Sequence, residues 1–226
     1  MKIKYLGHSC FDVELNGKSV VFDPFITPNE LAKDIDIETV KPDFILLSHG
    51  HWDHVADAEI LAKKHNSVLV ANWEIHNWFQ QKGVEHVHPM NLGGCWNFKF
   101  GKATLVKADH SSSMPDGAYG GGPGGFVIET PAFRFYYAGD TALFSDMKLF
   151  AEQYSPSFAF LPIGDNFTMG IQDAVMAAQF LKVKKVIGMH FDTFGYIKID
   201  HAAAVEAFKS KGVELVLMGI GETLSI

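Results

Sequence analysis

Residues 46–54 read Leu-Leu-Ser-His-Gly-His-Trp-Asp-His, the pattern HxHxDH behind an apolar run. The five residues 44–48 have the short, nearly uninterrupted apolar character of a buried strand, and a helix is expected to begin near His54. A strand-to-helix turn lets several side chains converge on one point. His49 and His51, one residue apart, can bring both imidazoles to one cation. Asp53 and His54 fall at the helix entry and can face a second. Imidazole with carboxylate suits Zn²⁺, and Fe²⁺ or Mn²⁺ less selectively.

Outward from this turn, other histidines and aspartates recur at the ends of expected strands. His8 follows strand 2–7, Asp23 ends strand 19–23, His110 follows strand 103–108, Asp140 follows strand 133–138 and His190 follows strand 185–189. Sites in α/β folds collect beyond the carboxyl ends of strands, so these residues join the turn as candidate ligands. The remaining expected strands are 10–15, 67–71, 95–100, 126–130, 158–162, 214–217 and 222–226. The expected helices are 56–65, 73–82, 142–153, 172–181 and 201–211. Each half runs through a β-meander and then alternates strand with helix. That order predicts one α/β domain over residues 1–226, with two packed sheets and helices outside, built from two similar halves. His65, His76, His86, His88 and His201 fall in helices or beside loops and are expected to be solvated or satisfied by neighbours.

Composition excludes several classes. The chain has 226 residues, 47% hydrophobic and 20% charged, which rules out disorder. No run approaches the roughly 18 consecutive apolar residues of a membrane span. Residues 1–8 carry two lysines but no long apolar run, unlike an export signal, so a cytoplasmic location is expected. Cys10 and Cys95 are too few for a disulfide scaffold, and both are expected to be buried thiols. A net charge of -7 argues against a nucleic-acid partner. The long segment 111–125, SSSMPDGAYGGGPGG, lacks P-loop spacing and no GK[ST] follows it, which excludes a nucleotide cradle. It reads either as a solvated loop or as a cover over the site.

The order HxHxDH, a later His, an Asp in a Gly-Asp pair and a final His resembles the metallo-β-lactamase superfamily. The segments LGHSCF (6–11), FDPF (22–25), LLSHGHWDH (46–54), YAGDT (137–141), LPIGDNFTMG (161–170) and MHFDTF (189–194) carry the likeness further. They are similar to a family of metal-dependent hydrolases of the UPF0173 type, related to ascorbate-phosphate lactonases and N-acyl-phosphatidylethanolamine phospholipase D. The resemblance implies an αββα four-layer sandwich and two divalent metal ions, zinc foremost, with manganese or iron as alternatives. It implies that His49, His51 and His110 hold the first ion, that Asp53, His54 and His190 hold the second, and that Asp140 bridges them. Trp52 departs from the small residue that relatives mostly carry there, and it narrows the mouth of the site in this reading. Asp165 and Asp192 each read as a site carboxylate or as a surface charge.

Such a centre has a definite chemistry. Two divalent ions against Asp53, Asp140 and a metal-bridging hydroxide leave about one net positive charge, which favours a developing oxyanion. Bound water becomes hydroxide near a pKa of roughly 7. Asp53 would orient this nucleophile. His8 would donate a proton or hydrogen bond to the leaving group, or else would only cap its strand. The expected activity is hydrolysis of a phosphodiester, lactone or related ester, with a small-molecule anionic or ester substrate and with a homo-oligomer left open. The alternatives are a di-iron redox protein and a non-catalytic metal-binding protein. Position 51 is His where the related diiron flavoproteins carry Glu, and no flavin domain fits this length.

Overall fold

The computed structural model describes all 226 residues, Met1–Ile226. The first half contributes strands β1 (Lys2–Gly7), β2 (Cys10–Leu15), β3 (Lys18–Phe22), β4 (Phe44–Leu46), β5 (Val68–Asn72) and β6 (Val87–Met90), with helices α1 (Trp52–Val55), α2 (Ala58–His65) and α3 (Trp73–Gln81). The second half contributes β7 (Cys95–Phe98), β8 (Gly101–Lys107), β9 (Gly124–Glu129), β10 (Arg134–Tyr137), β11 (Phe158–Pro162), β12 (Lys185–Met189) and β13 (Glu214–Val216), with α4 (Met147–Tyr154), α5 (Ile171–Leu181) and α6 (His201–Lys209). A last strand, β14 (Thr223–Ser225), returns to the first half and pairs with β1.

Each sheet has seven strands, ordered β14-β1-β2-β3-β4-β5-β6 and β13-β12-β11-β10-β9-β8-β7. In both, an antiparallel meander passes into parallel strands: β3 pairs parallel with β4 in one sheet, and β10 pairs parallel with β11 in the other. The two expected similar halves are therefore visible as two sheets of matching plan. Burial follows the period of two that a strand imposes. Val20, Phe22, Phe44 and Leu46 enter the core between the sheets, while Val21, Ile45 and Leu47 face the other way, onto Val55, Leu61, Ile75 and Phe79 of α1, α2 and α3. Between the sheets the packing is aromatic. Phe22 stacks on Tyr137 at 4.6 Å and Phe11 meets Phe160 edge to face at 4.8 Å. Helices α4, α5 and α6 supply Phe150, Ala174, Ala178 and Phe208 to cover the second sheet. The layers are thus helix, sheet, sheet, helix, as expected.

Several expectations are corrected. Strand β6 carries Val-His-Pro-Met, a poor strand signal, and Pro89 is tolerated because β6 is the edge of its sheet. His88 accordingly sits in a strand, not beside a loop. Cys10 is buried, but Cys95 is exposed, at the start of the opposite edge strand. The helix expected from residue 142 begins at Met147; residue 142 is tied instead to the loop after β8, its N–H donating to Asp109 O at 2.9 Å. The segment 111–125 is exposed over most of residues 111–119, with Ser111 at the cavity, but it is tied down at separate points. Met114 is buried in the core beneath the first sheet's helices, and Asn72 Nδ2 donates to Gly120 O at 2.7 Å.

Candidate metal centre

The chemistry-bearing side chains leave from the carboxyl ends of five strands: His8 after β1, His49 to His54 after β4, His110 after β8, Asp140 after β10 and His190 after β12. Gly139 makes one of these deliveries possible. Its φ of 62° is left-handed, and a Cβ there would lie 2.6 Å from Ser48 Cβ. Only glycine lets the chain turn Asp140 into the gap between the sheets at that point.

Asp23, fully buried at the end of β3, organises the first two histidines. It accepts from Ser48 N at 2.8 Å, Ser48 Oγ at 2.6 Å, Tyr137 Oη at 2.8 Å and His54 Nδ1 at 2.9 Å. Ser48 Oγ spends its one proton on Asp23, so it accepts from His49 Nδ1, 2.9 Å away. Both rings are thereby assigned the Nδ1–H tautomer, and both present a bare Nε2 to the centre. His51 is turned the other way. Its Nε2 lies 3.3 Å from Ser111 Oγ and its Nδ1 points inward, 2.9 Å from His49 Nε2.

The ligand atoms of His49, His51 and His110 lie within 4.8 Å of one another, and so do those of His8, Asp53, His54 and His190. Asp140 stands between the two groups. Its Oδ2 is 2.9 Å from His190 Nε2, 3.3 Å from His54 Nε2, 3.6 Å from His110 Nε2 and 3.9 Å from His49 Nε2. All seven residues expected as ligands converge here. His8 joins the second group from within the wall. Its ring is fully buried, with Nε2 3.1 Å from Asp53 Oδ2 and Nδ1 2.9 Å from Thr193 Oγ1. The residue that meets the cavity at that point is Thr193, not His8.

Electrostatics marks the same place. Asp53 and Asp140 face the centre, Asp23 lies behind His54, and none of the three is paired with Lys or Arg. Burial alone would raise the Asp140 carboxyl, but His190 and His54 overcome it and hold it well below the usual carboxylate range. Burial likewise opposes charge on His190, yet Asp140 outweighs it and lifts the pKa to about 9. His54 moves in the same direction through Asp140 and Asp23. His49 is pushed down, first by burial and then by His54, and His8 is pushed down to about 4 by burial and His190. The carboxylates thus favour positive charge at His190 and His54, while burial and the neighbouring rings disfavour it at His49 and His8.

Three buried atoms test whether a metal fits. His54 Nε2, His110 Nε2 and Asp140 Oδ1 have no hydrogen-bond partner. A buried lone pair left unsatisfied costs about 1–3 kcal/mol, and a divalent cation satisfies such nitrogen and oxygen donors directly. The mixed imidazole and carboxylate set fits zinc, manganese or iron.

Other sequence candidates fall outside the centre. Asp165 shapes a turn, with its N–H donating to Met169 O at 3.1 Å. Asp192 accepts from Ile199 N at 3.0 Å and lies 2.6 Å from His201 Nε2. The loop 111–125 bears on the site by clamping its turn: Ser112 Oγ accepts from Gly50 N at 3.1 Å and donates to Gly120 O at 2.9 Å. Sequence reasoning missed Ser48, Tyr137 and Thr193, because each acts through a hydrogen bond that no spacing announces. It also gave Phe167, Phe194 and Tyr196 no role, although all three line the cavity above Asp140.

Comparison with known proteins agrees with this geometry. The model of the beta-lactamase superfamily domain matches residues 2–190. A UPF0173 metal-dependent hydrolase of Flavobacterium johnsoniae is 51% identical over 226 residues, 100% of both chains. One from Christiangramia forsetii is 52% identical over 227 residues, again 100% of both chains. Among solved structures, Igni18, a metallo hydrolase from Ignicoccus hospitalis, superimposes with a TM-score of 0.89 at 34% identity, covering 99% of this chain and 97% of its own. With the match to the superfamily's domain and full-length identity of about one half to its UPF0173 members, the chain belongs to the metal-dependent hydrolases of the β-lactamase superfamily.

Proposed function

We propose that the protein is a dinuclear metal-dependent hydrolase of esters, lactones or phosphodiesters. His49, His51 and His110 would hold one ion, Asp53, His54 and His190 the other, and Asp140 would serve both. The observation that carries this reading is the position of Asp140 Oδ2, within 3.9 Å of imidazole nitrogens from both groups. Zinc is the favoured metal on donor chemistry, with manganese or iron as alternatives. A metal pair at this place supplies a nucleophile from water near neutral pH and polarises the scissile oxygen.

The chain's own residues do the rest. Asp53 faces the cavity and can orient the attacking water through its carboxylate. His8 is a positioning residue: neutral, it donates from Nε2 to Asp53 while Nδ1 accepts from the Thr193 hydroxyl, which fixes the carboxylate on the cavity floor. Asp23 holds His49 and His54 in the tautomers that leave Nε2 free. Phe194 and Trp52 line the cavity beside Asp53 and give the substrate an apolar wall there.

The test is a metal count and a hydrolysis panel on zinc- and manganese-reconstituted protein. Native protein should retain two ions per chain and turn over one class among phosphodiesters, sugar-acid lactones and acyl esters. Asp140→Ala should lose at least one ion and the turnover with it. One tightly held ion in the native protein would overturn the dinuclear reading. Flat rates across the panel in a protein holding two ions would overturn the proposed substrate range.

A further inference from the structure

The loop between β11 and α5 holds strained backbone. Asp165 and Asn166 both take left-handed conformations, with φ of 63° and 55°, an arrangement that costs energy and persists only where the surroundings impose it. The turn is tied by Phe167 N donating to Asp165 O at 2.6 Å and by Asn166 N donating to Asp165 Oδ1 at 2.8 Å. Its result is the placement of Phe167, a ring left 50% exposed and meeting Tyr196, 79% exposed, edge to face at 6.3 Å. Tyr196 and Phe194 come from the segment after His190. Trp52, 48% exposed, comes from α1 and rests edge-on against Phe25 at 4.9 Å.

Three separate chain segments thus raise an aromatic rim around one cavity of about 760 Å³, whose floor holds Asp53, His110, Asp140 and His190. Half of the exposed aromatic side chains of the protein, Trp52, Phe167 and Tyr196 among six, stand around this one opening. Water-facing rings gathered at a single mouth are an unfilled apolar contact surface.

The charge of the cavity limits what can fill it. No Lys or Arg lines it. The only arginine of the chain, Arg134, starts β10 at the end opposite Asp140 and pairs with Glu129 at 3.4 Å. A phosphate or carboxylate lying away from the metal centre is met best by a guanidinium or ammonium, and none lines this cavity.

We propose that the substrate carries an apolar aryl or acyl group beside the scissile bond and no second anionic group, the apolar part lying against Trp52, Phe167, Phe194 and Tyr196. This rests on the ester-hydrolase reading above and narrows it, away from sugar phosphates and nucleotides. For an ester, the water oxygen bonds to the acyl carbon, and the C–O bond breaks with its electron pair on the leaving oxygen. One water proton ends on that oxygen and the other is released with the carboxylate.

The test is titration calorimetry of the zinc-loaded protein with acetate, butyrate, hexanoate and adipate. Each fully buried methylene is worth up to about fourfold in affinity, so hexanoate should bind at least about tenfold tighter than acetate. Adipate, with a second carboxylate at the far end, should bind more weakly than hexanoate. In the double variant Phe167→Ala/Tyr196→Ala the chain-length slope should flatten. Both residues are exposed, so the melting temperature should hold and report an intact fold. A flat series in native protein, adipate binding tighter than hexanoate, or a slope unchanged in the variant would each overturn the inference. Turnover of esters with a flat series defeats this inference alone. A steep series in a protein that hydrolyses no member of the panel defeats the ester reading and leaves the apolar preference of the cavity standing.

Discussion

Asp23 illustrates how much one residue can set without touching the reacting centre. Its carboxylate takes four hydrogen bonds and, through Ser48, fixes the tautomers of His49 and His54 together. Asp23→Asn keeps the shape but loses the charge and places an amide where donors already point. The expected outcome is metal affinity weaker by about 10–100-fold and stability lower by about 1–3 kcal/mol. Competition with a chelating dye measures the first and urea unfolding the second; unchanged affinity would show that the histidines orient themselves. At this scale the sequence was legible where chemistry restricts residue type. Imidazoles and carboxylates at strand ends announce themselves, and all seven expected ligands meet. The Tyr137 hydroxyl on Asp23 spans 114 positions, and nothing in a tyrosine on a buried strand distinguishes that bond from ordinary packing.

Among the elements, the turns beyond the strands position the centre more than the strands themselves. The backbone at Gly139 passes so close to Ser48 that Gly139→Ala must push β4 and β10 apart or swing Asp140 outward. Overpacking of this kind costs about 1–3 kcal/mol, and the left-handed φ adds to it. The variant should fold with a lowered melting temperature and hold less metal after dialysis than native protein; full retention would mean that the loop yields instead of the site. Strands with a clear apolar alternation or apolar run were read to the residue: β1, β2, β11 and β12 have the expected bounds. β6 was not, because an edge strand with one side in water needs no apolar run. The glycine-rich segment 111–125 was open in the sequence, since neither its anchoring methionine nor Asn72 across the fold can be paired with it by spacing alone.

For the molecule as a whole, metal and fold are linked. A ligand that binds only the native state at 100 times its dissociation constant stabilises it by about 2.7 kcal/mol. In a chain of this size each kcal/mol is worth about 2–4 °C. Chelation should therefore lower the melting temperature by about 5–10 °C, and zinc should restore it; an unchanged transition would indicate weak or nonspecific loading. The four-layer plan was legible because the meander-then-alternation order occurs twice, and two such units can bury their apolar faces only against each other.

That duplication has a mechanical consequence. His49 and His51 hang from the first sheet and His110 from the second; Asp53 and His54 hang from the first and His190 from the second. Each donor group therefore straddles the seam between the sheets. A cation seated in either one acts as a rivet through a laminate, resisting the sliding and peeling that dispersion forces between aromatic rings oppose only weakly. Pulled in a force spectrometer by handles attached one to each sheet, the metal-loaded protein should separate its sheets at a higher force than the chelated one, and the difference should vanish when His110 and His190 are both replaced by alanine.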